Sequence, residues 1–399
     1  MEYYRSEEIT SLVVGDPHTE QNQYNYRIPG IAVSKKGTVL VYWECRDYKK
    51  NRKDSTGKNG DLCNMDLTVR RSTDGGKSFG EPIFIAYGEE FYQNGFGETL
   101  NNPIMIVGDD NRLHFLFCCD VGKRGVFYCY SDDDGLTWTK PRDITEGLRG
   151  GIAWDMLALG PGHGICLQHG EHAGRLIVSA WTWCKKDAYP NGNGSTFCLG
   201  TRNTTVYSDD NGQTWHIGEY ASKNRDETSI VELSDGSVMI NSRHYTLCYK
   251  ATDLVPYPEE EARRVVTVSP NGVDNWSETV FDPVLIDPAC AGNICSVEVE
   301  GLPRAILFVN CASTTKRDHL TVRCSFDDAK TWIEKTLYLS PIGWYSDIAV
   351  DNQTGKVYVL HENPHVYAEK KWFLMCEELF TFSFYDVFAK EYLEKEKQV

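Results

Sequence analysis

The chain has 399 residues, of which 41% are hydrophobic and 12% aromatic, enough to bury a large core. Its formal net charge of −16 repels nucleic acid and anionic lipid, which excludes both as general partners. No apolar run approaches the roughly 20 residues of a membrane-spanning helix, and the first residues, MEYYRSEEIT, lack the pattern of a signal peptide. The 14 Cys include no CxxC pair, which favours reduced thiols and a cytosolic location. Secretion after removal of a leader and peripheral membrane attachment stay open as alternatives.

In chain order, short apolar runs alternate with turns that contain Gly or Asp. The segment 31–46 turns at Lys35–Gly37, the segment 231–243 turns at Ser234–Gly236, and the segment 348–363 turns at Asn352–Gly355. This pattern predicts pairs of short strands. Helical periodicity is sustained only near the end, where VFAKEYLEKEKQV predicts a short terminal helix over 387–399.

An eight-residue motif recurs along the chain. STDGGKSF at 72–79, SDDDGLTW at 131–138 and SDDNGQTW at 208–215 share the pattern S-x-D-x-G-x-[ST]-[WF]. SFDDAKTW at 325–332 has Ala329 in place of the glycine, and SPNGVDNW at 269–276 keeps only the first Ser and the Trp. Asp accepts hydrogen bonds from nearby backbone N–H groups and Gly supplies a positive φ, so the motif is typical of a hairpin turn. These octads therefore indicate a structural repeat, not a catalytic centre.

The repeat predicts the fold class. A unit of about 60 residues with four short strands is the blade of a β-propeller, and division of the chain into such units gives six blades. Because no Pro/Ser-rich linker interrupts the sequence, we expect one all-β domain over residues 1–399, a six-bladed β-propeller.

Several motifs together resemble the sialidase (neuraminidase) family, whose members are six-bladed propellers with Asp boxes. The resemblance covers nearly the whole chain and rests on the octads, on the YRIP at 26–29, and on charged residues in the family's order. It implies that Arg27, Arg243 and Arg317 form the family's arginine triad. It further implies that Arg46 is an additional pocket arginine with Glu44 as its acidic neighbour, and that Glu362 holds Arg27.

The same resemblance assigns the catalytic groups. Tyr345 in GWYSDIAV matches the family's nucleophile, and Glu227 in RDETSIVEL matches its catalytic glutamate. The acid/base aspartate lies in a loop that is longer here than in the family. Counting back from LTVRRS selects Asp61, whereas counting forward selects Asp54; we prefer Asp61 because a strand anchors that count.

The chemistry of sialic acid explains these residue types. Its anomeric carbon carries a carboxylate, and guanidinium groups are planar, permanently charged donors that suit a carboxylate. An anionic nucleophile would be repelled by that carboxylate, whereas a neutral phenol is not, and a neighbouring glutamate can take the phenol's proton. The sequence suggests neither a metal nor another cofactor.

The resemblance implies an exo-α-sialidase that releases terminal sialic acid with retention of configuration. The expected substrates are sialylated glycoproteins, oligosaccharides or gangliosides. A trans-sialidase, a hydrolase that prefers the deaminated sugar KDN, and a non-catalytic sialoside-binding propeller stay open as alternatives. Propellers host many functions, so the site must decide among these.

Overall fold

The computed structural model describes residues 3–4, 9–16, 24–47, 61–120, 122–123, 125–188, 200–244, 247–250, 253–256, 259–366 and 373–397. Within these residues the chain is almost entirely strand and turn. Six antiparallel sheets follow one another in sequence, and they form the blades of a six-bladed β-propeller. The predicted fold class is therefore confirmed.

Blades 1 to 3 are built from consecutive stretches of chain. Blade 1 contains β3 (Tyr24–Val33), β4 (Val39–Asp47), β5 (Asn64–Ser72) and β6 (Ile83–Ala86). Blade 2 contains β7 (Leu100–Val107), β8 (Leu113–Cys119), β9 (Gly125–Ser131) and β10 (Arg142–Asp143). Blade 3 contains β11 (Met156–Leu159), β12 (Ile165–Cys166), β13 (Leu176–Trp183), β14 (Thr201–Ser208), β15 (His216–Ile217) and β16 (Ser222–Lys223).

Blades 4 to 6 complete the ring. Blade 4 contains β17 (Thr228–Glu232), β18 (Val238–Ser242), β21 (Arg263–Ser269) and β22 (Val280–Ile286), and β19 (Leu247–Lys250) pairs with β20 (Asp253–Pro256) in a separate hairpin. Blade 5 contains β23 (Asn293–Val297), β24 (Ala305–Cys311), β25 (Asp318–Ser325) and β26 (Thr336–Ile342), with β1 (Tyr3–Tyr4) parallel to β26. Blade 6 contains β27 (Ser346–Asp351), β28 (Lys356–Val366), β29 (Phe373–Ser383) and β2 (Thr10–Gly15).

The first strands of the blades line the central axis. Each contacts the first strand of the next blade, in the order β3, β7, β11 with β12, β17, β23 and β27, and β27 contacts β3 again. The last blade takes its outer strand, β2, from the N-terminal part of the chain. The ring is therefore closed by hydrogen bonds between the two ends of the sequence.

The core lies between neighbouring blades. Leu40 and Leu67 of blade 1 pack with Phe115 and Phe127 of blade 2, and similar buried clusters join the later blades. Inner strands such as β4 are buried along their whole length, which explains the apolar run VLVYW that begins β4.

The octads form one recurrent turn at the end of the third strand in blades 1, 2, 3 and 5. In each, the first Ser oxygen accepts a backbone N–H at 2.8–2.9 Å, and the seventh residue's hydroxyl donates to the Asp at 2.6 Å. Gly76, Gly135 and Gly212 have φ of 80–83° at the fifth position, where Ala329 has φ 58°. The turn thus requires a positive φ even where no glycine supplies it.

Within the described ranges, helix is confined to short segments. The α-helices are α1 (Gly88–Gln93), α2 (Lys185–Ala188) and α3 (Lys390–Glu396), and a π-helical turn, Tyr385–Ala389, precedes α3. The sequence predicts helix over 387–399, and the described helical segment begins two residues earlier and ends at Glu396. Val387 and Phe388 are buried beneath blades 5 and 6, so this segment packs on the propeller.

Candidate active site

One cavity of about 560 Å³ collects most of the residues predicted from the sequence. Eight of them line it: Arg27, Glu44, Arg46, Asp61, Glu227, Arg243, Arg317 and Tyr345. Glu362 lies directly behind Arg27. Asp54, the second choice for the acid/base, falls outside the described residues. Residues from blades 1, 4, 5 and 6, separated by more than 300 positions in sequence, thus meet in one place.

A tyrosine–glutamate pair lies at the floor of the cavity. The Tyr345 hydroxyl donates to Glu227 Oε1 at 2.5 Å, and both side chains are buried. Burial, and then the negative charge of Glu227, raises the pKa of Tyr345 well above its usual value. Burial also raises the pKa of Glu227 to about 6, against the opposing effect of Arg243. The phenol is therefore neutral, with a proton acceptor already in contact.

Arg243 follows β18 and is held by two acidic residues. Its Nε donates to Asp226 Oδ1 at 2.9 Å, its Nη2 donates to Asp226 Oδ2, and its Nη1 lies 2.7 Å from Glu227 Oε2. Nη1 also donates to the Tyr345 hydroxyl at 3.1 Å. This arrangement fixes the guanidinium between the glutamate and the phenol.

Arg27 comes from a distorted part of the innermost strand of blade 1. The register of β3 shifts between Arg27 and Gly30, and Ile28 has a φ of 60°, a rare conformation for a β-branched residue. Glu362 compensates: its Oε1 accepts from Arg27 Nε at 2.6 Å and from the Ile28 N–H at 2.8 Å. The bulge, held by the glutamate of blade 6, aims Arg27 at the cavity.

A similar bulge occurs in blade 2. There the register shifts between Asn101 and Ile104, Asn102 has a φ of 51°, and its N–H donates to Glu44 Oε1 at 2.8 Å. Both bulges precede a proline, and both are held by a buried glutamate on the second strand of the preceding blade. A glutamate in this position therefore shapes the wall contributed by the next blade.

Arg317 and Arg27 flank the Tyr345 ring. Their guanidinium carbons lie 5.3 Å and 5.5 Å from its centroid. Arg317 Nη2 donates to the Ala289 carbonyl at 3.2 Å, and Arg243 Nη1 reaches the same oxygen at 3.5 Å. The three arginines predicted as a triad thus surround one phenol, and they form a site for an anion.

Arg46 links the buried glutamate to the mouth of the cavity. It contacts Glu44 Oε2 at 2.7 Å and donates to Asp61 Oδ1 at 2.9 Å. Glu44 is fully buried, whereas 78% of the Asp61 side chain is exposed. Desolvation raises the pKa of Asp61, but Arg46 and then Arg27 outweigh it, so the pKa is lower than usual. Asp61 therefore stands at the entrance, where solvent reaches it.

Sequence reasoning missed several residues of the cavity. Asp226, which holds Arg243 with both oxygens, was the most informative of them, and its only signal was its position next to Glu227. Trp344, Met156, Trp181 and Lys123 also line the cavity. An isolated apolar residue such as Met156 or Trp181 carries no signal that distinguishes a pocket wall from the core.

The described residues contain no group of three or more His, Cys, Asp or Glu arranged to hold a metal ion. They also contain no helix that is long and apolar enough to cross a bilayer.

Comparison with known proteins identifies the relatives of this chain. The sequence profile of the BNR repeat-like domain matches residues 61–359. The chain is 31% identical to a sialidase of Micromonospora viridifaciens over 331 residues, 77% of this chain and 45% of that protein. It is 26% identical to a sialidase of Bacteroides fragilis over 345 residues, 80% of this chain and 56% of that protein. The chain thus spans about half the length of these two relatives.

Solved structures with the same fold include the Hadza microbial sialidase Hz136, with a TM-score of 0.73, 20% identity, and coverage of 95% of this chain and 69% of that one. The intramolecular trans-sialidase from Ruminococcus gnavus has a TM-score of 0.65, 17% identity, and coverage of 91% and 95%. The fold and the repeats define a BNR-repeat β-propeller with an arginine-lined cavity. Within that class, the chain belongs to the sialidase family.

Proposed function

We propose that the protein is an exo-α-sialidase that hydrolyses terminal α-linked sialic acids with retention of configuration. The observation that carries this proposal is the Tyr345 hydroxyl, in contact with Glu227 at 2.5 Å and surrounded by Arg27, Arg243 and Arg317. A lectin needs cations for the sugar carboxylate, but it does not need a phenol paired with a base.

In the proposed reaction, the arginines bind the substrate carboxylate and place the anomeric carbon over the Tyr345 oxygen. Glu227 accepts the phenol proton as the oxygen attacks, and Asp61 protonates the departing oxygen. The glycosyl–tyrosine bond is then broken by water, which Asp61 deprotonates, while Glu227 returns the proton to Tyr345. Two inversions give net retention.

The test is the release of 4-methylumbelliferone from its α-linked sialoside. We expect turnover by the parent protein and a loss of about 10²-fold or more in kcat for Tyr345→Phe. Tyr385→Phe is the matched control, because Tyr385 is exposed on the terminal helical segment. A parent protein without turnover between about pH 4 and pH 8 contradicts the proposal.

The same assay separates the alternatives. NMR of the products shows the α-anomer of the free sugar first if the enzyme is a retaining hydrolase. A sialylated product after addition of lactose identifies a trans-sialidase, and a higher kcat/KM for the KDN glycoside identifies a KDN-preferring hydrolase. Sialoside binding by calorimetry without turnover identifies a non-catalytic propeller.

The natural substrates and the location belong to the same proposal. Sialylated glycoproteins, oligosaccharides and gangliosides all present a terminal sialic acid that the cavity can receive. Most cysteines of the described residues are buried within the propeller, as expected for structural thiols in a reducing compartment such as the cytosol. Fractionation of the source cells with an antibody to the protein tests the location.

A further inference from the structure

Behind the Arg27–Glu362 pair lies a second glutamate that the proposed mechanism does not use. Glu377 on β29 is the register partner of Glu362 on β28, so the two side chains lie on the same face of blade 6. Both are 0% exposed. Two carboxyl groups therefore face each other in the interior, close to one guanidinium.

The two carboxyl groups have unequal partners. Glu362 accepts hydrogen bonds from Arg27 Nε, from the Ile28 N–H and, at 3.4 Å, from the Tyr345 N–H. Among the described residues, neither side-chain oxygen of Glu377 has a hydrogen-bond partner. An ionised carboxylate that is buried without a partner is strongly disfavoured, so it takes up a proton. Burial first, and then the charge of Glu362, raises the pKa of Glu377 well above its usual value, against the opposing effect of Arg27.

The ionisable groups around Glu377 come from several strands. Glu362 on β28 and Arg27 on β3 act on it directly. Farther out, the Tyr345 N–H contacts Glu362, Asp16 follows the register partner of Glu377 on β2, and Glu44 on β4 is the register partner of Arg27. Glu378, the next residue on the same strand, has other partners: its Oε2 accepts a hydrogen bond from Asn363 Nδ2 at 2.8 Å and contacts His361 Nε2. Among the described residues, Arg27 is therefore the cation that acts on Glu377 and that its ionised form could pair with.

This competition has a consequence for the cavity. Arg27 uses Nε for Glu362, which leaves its two terminal nitrogens for an anion in the cavity. If Glu377 lost its proton, a second carboxylate behind Arg27 would attract the guanidinium inward and lower the positive potential that the substrate meets.

We propose that Glu377 is a positioning residue that acts on Arg27. While its carboxyl group is protonated and neutral, the guanidinium of Arg27 is available to bind the substrate. Ionisation of Glu377 at high pH weakens this binding and so sets the alkaline limit of sialoside binding. This inference rests on the proposed function, because it takes the ligand of Arg27 to be the sialic acid carboxylate. Glu377 acts through Arg27 and touches no reacting atom.

The test combines infrared spectroscopy with ligand binding in the full-length protein. With carboxyl-labelled glutamate, we expect the carbonyl stretch of a protonated acid at neutral pH, lost in Glu377→Gln and kept in the matched control Glu378→Gln. The probe for binding is the dehydrated sialic acid inhibitor, titrated from about pH 6 to pH 10. We expect the wild-type Kd to rise about ten-fold as the infrared band disappears, and the Kd of Glu377→Gln to change less than about two-fold.

Equal pH dependence of Kd in the wild type and Glu377→Gln overturns the inference, as does a flat Kd in the wild type. Should Glu377→Gln fail to fold, Glu377→Leu replaces it, with the same expected flat profile. If the parent protein binds no sialoside, the proposed function fails by itself. The infrared titration then still decides: a missing protonated band at neutral pH overturns a neutral Glu377, and its presence supports one.

Discussion

At the scale of single residues, the cavity pairs cations with acids of different accessibility. Glu44, Glu227 and Glu362 are buried and each contacts an arginine, whereas Asp61 contacts Arg46 from the solvent side. The buried acids orient the arginines, and Asp61 is free to exchange protons with water. This difference in role between the buried acids and Asp61 leads to two predictions.

Asp61→Ala should discriminate between leaving groups. An alkoxide leaving group needs a proton, whereas methylumbelliferone departs as a stabilised anion, and general acid catalysis contributes about 10²–10⁴-fold. We expect kcat/KM to fall by about 10²-fold or more for sialyllactose and by less than about ten-fold for the methylumbelliferyl sialoside. Steady-state kinetics on both substrates measures this. The same pattern in Asp54→Ala, with Asp61→Ala unaffected, would assign the acid to Asp54 instead.

Glu227 should determine the acidic side of the pH profile. It accepts a proton only as a carboxylate, and its pKa is raised to about 6, so activity requires a pH above that value. For the methylumbelliferyl sialoside, we expect kcat/KM to fall about ten-fold per pH unit below this midpoint. Glu227→Gln should abolish the dependence together with most of the activity, while the exposed Glu219→Gln keeps both. A profile that is flat between about pH 5 and pH 7 would exclude this role.

Part of the site could be predicted from the sequence, and physical reasons explain the rest. Arg27, Tyr345 and Glu227 stand in motifs that resemble a known family, so their positions were foreseen. Asp226 and Glu377 were not, because a buried acid looks like a surface acid in the sequence until its neighbours are known. The strained φ of Ile28 was hidden for the same reason, since it depends on Glu362 from the other end of the chain.

At the scale of elements, the conformation of the repeated turn varies less among its copies than the amino-acid sequence does. The fourth copy keeps the hydrogen bonds of the others although Ala329 replaces glycine. The sequence predicted this copy correctly as a turn, because Ser325 and Asp327 carry the side-chain bonds. It did not show that the alanine retains the left-handed conformation of the glycine.

Ala329→Gly should therefore stabilise the protein. An L-residue in the left-handed region costs roughly 1–2 kcal/mol, and glycine loses about 0.4–1 kcal/mol through greater freedom in the unfolded chain. We expect a net gain of about 1 kcal/mol, measured by denaturant unfolding. Gly212→Ala, at the matching position with φ 80°, should lower stability. Loss of stability in Ala329→Gly would show that the alanine methyl contributes packing that outweighs the strain.

At the scale of the whole molecule, the ring of blades is closed at a seam, the pairing of β2 with β29 in blade 6. Blade 5 also receives a strand from the N-terminal part of the chain, β1 beside β26, whereas the strands of blades 1 to 4 come from consecutive chain. Only the inward end of β2 is buried: Val14 is 3% exposed and Val13 is 47% exposed. The six-blade architecture was predictable from the repeat, but the sequence analysis did not identify the strand that closes the ring.

Val14→Asp should weaken this seam. A charge placed against the buried apolar cluster around Trp43 and Leu379 loses its hydration, and such a substitution costs several kcal/mol. We expect a lower thermal midpoint and faster proteolysis near the ends of the chain. Val13→Asp, one position away and facing solvent, should leave both unchanged. Equal effects of the two substitutions would show that burial of the inward face of β2 does not stabilise its pairing with β29.

The bond between Arg27 and Glu362 joins the first blade to the last. One partner is translated early and the other more than 300 residues later. A ribosome must therefore add 335 residues after Arg27 before this contact can form. Fragments left by premature termination lack a finished cavity, however many blades they contain.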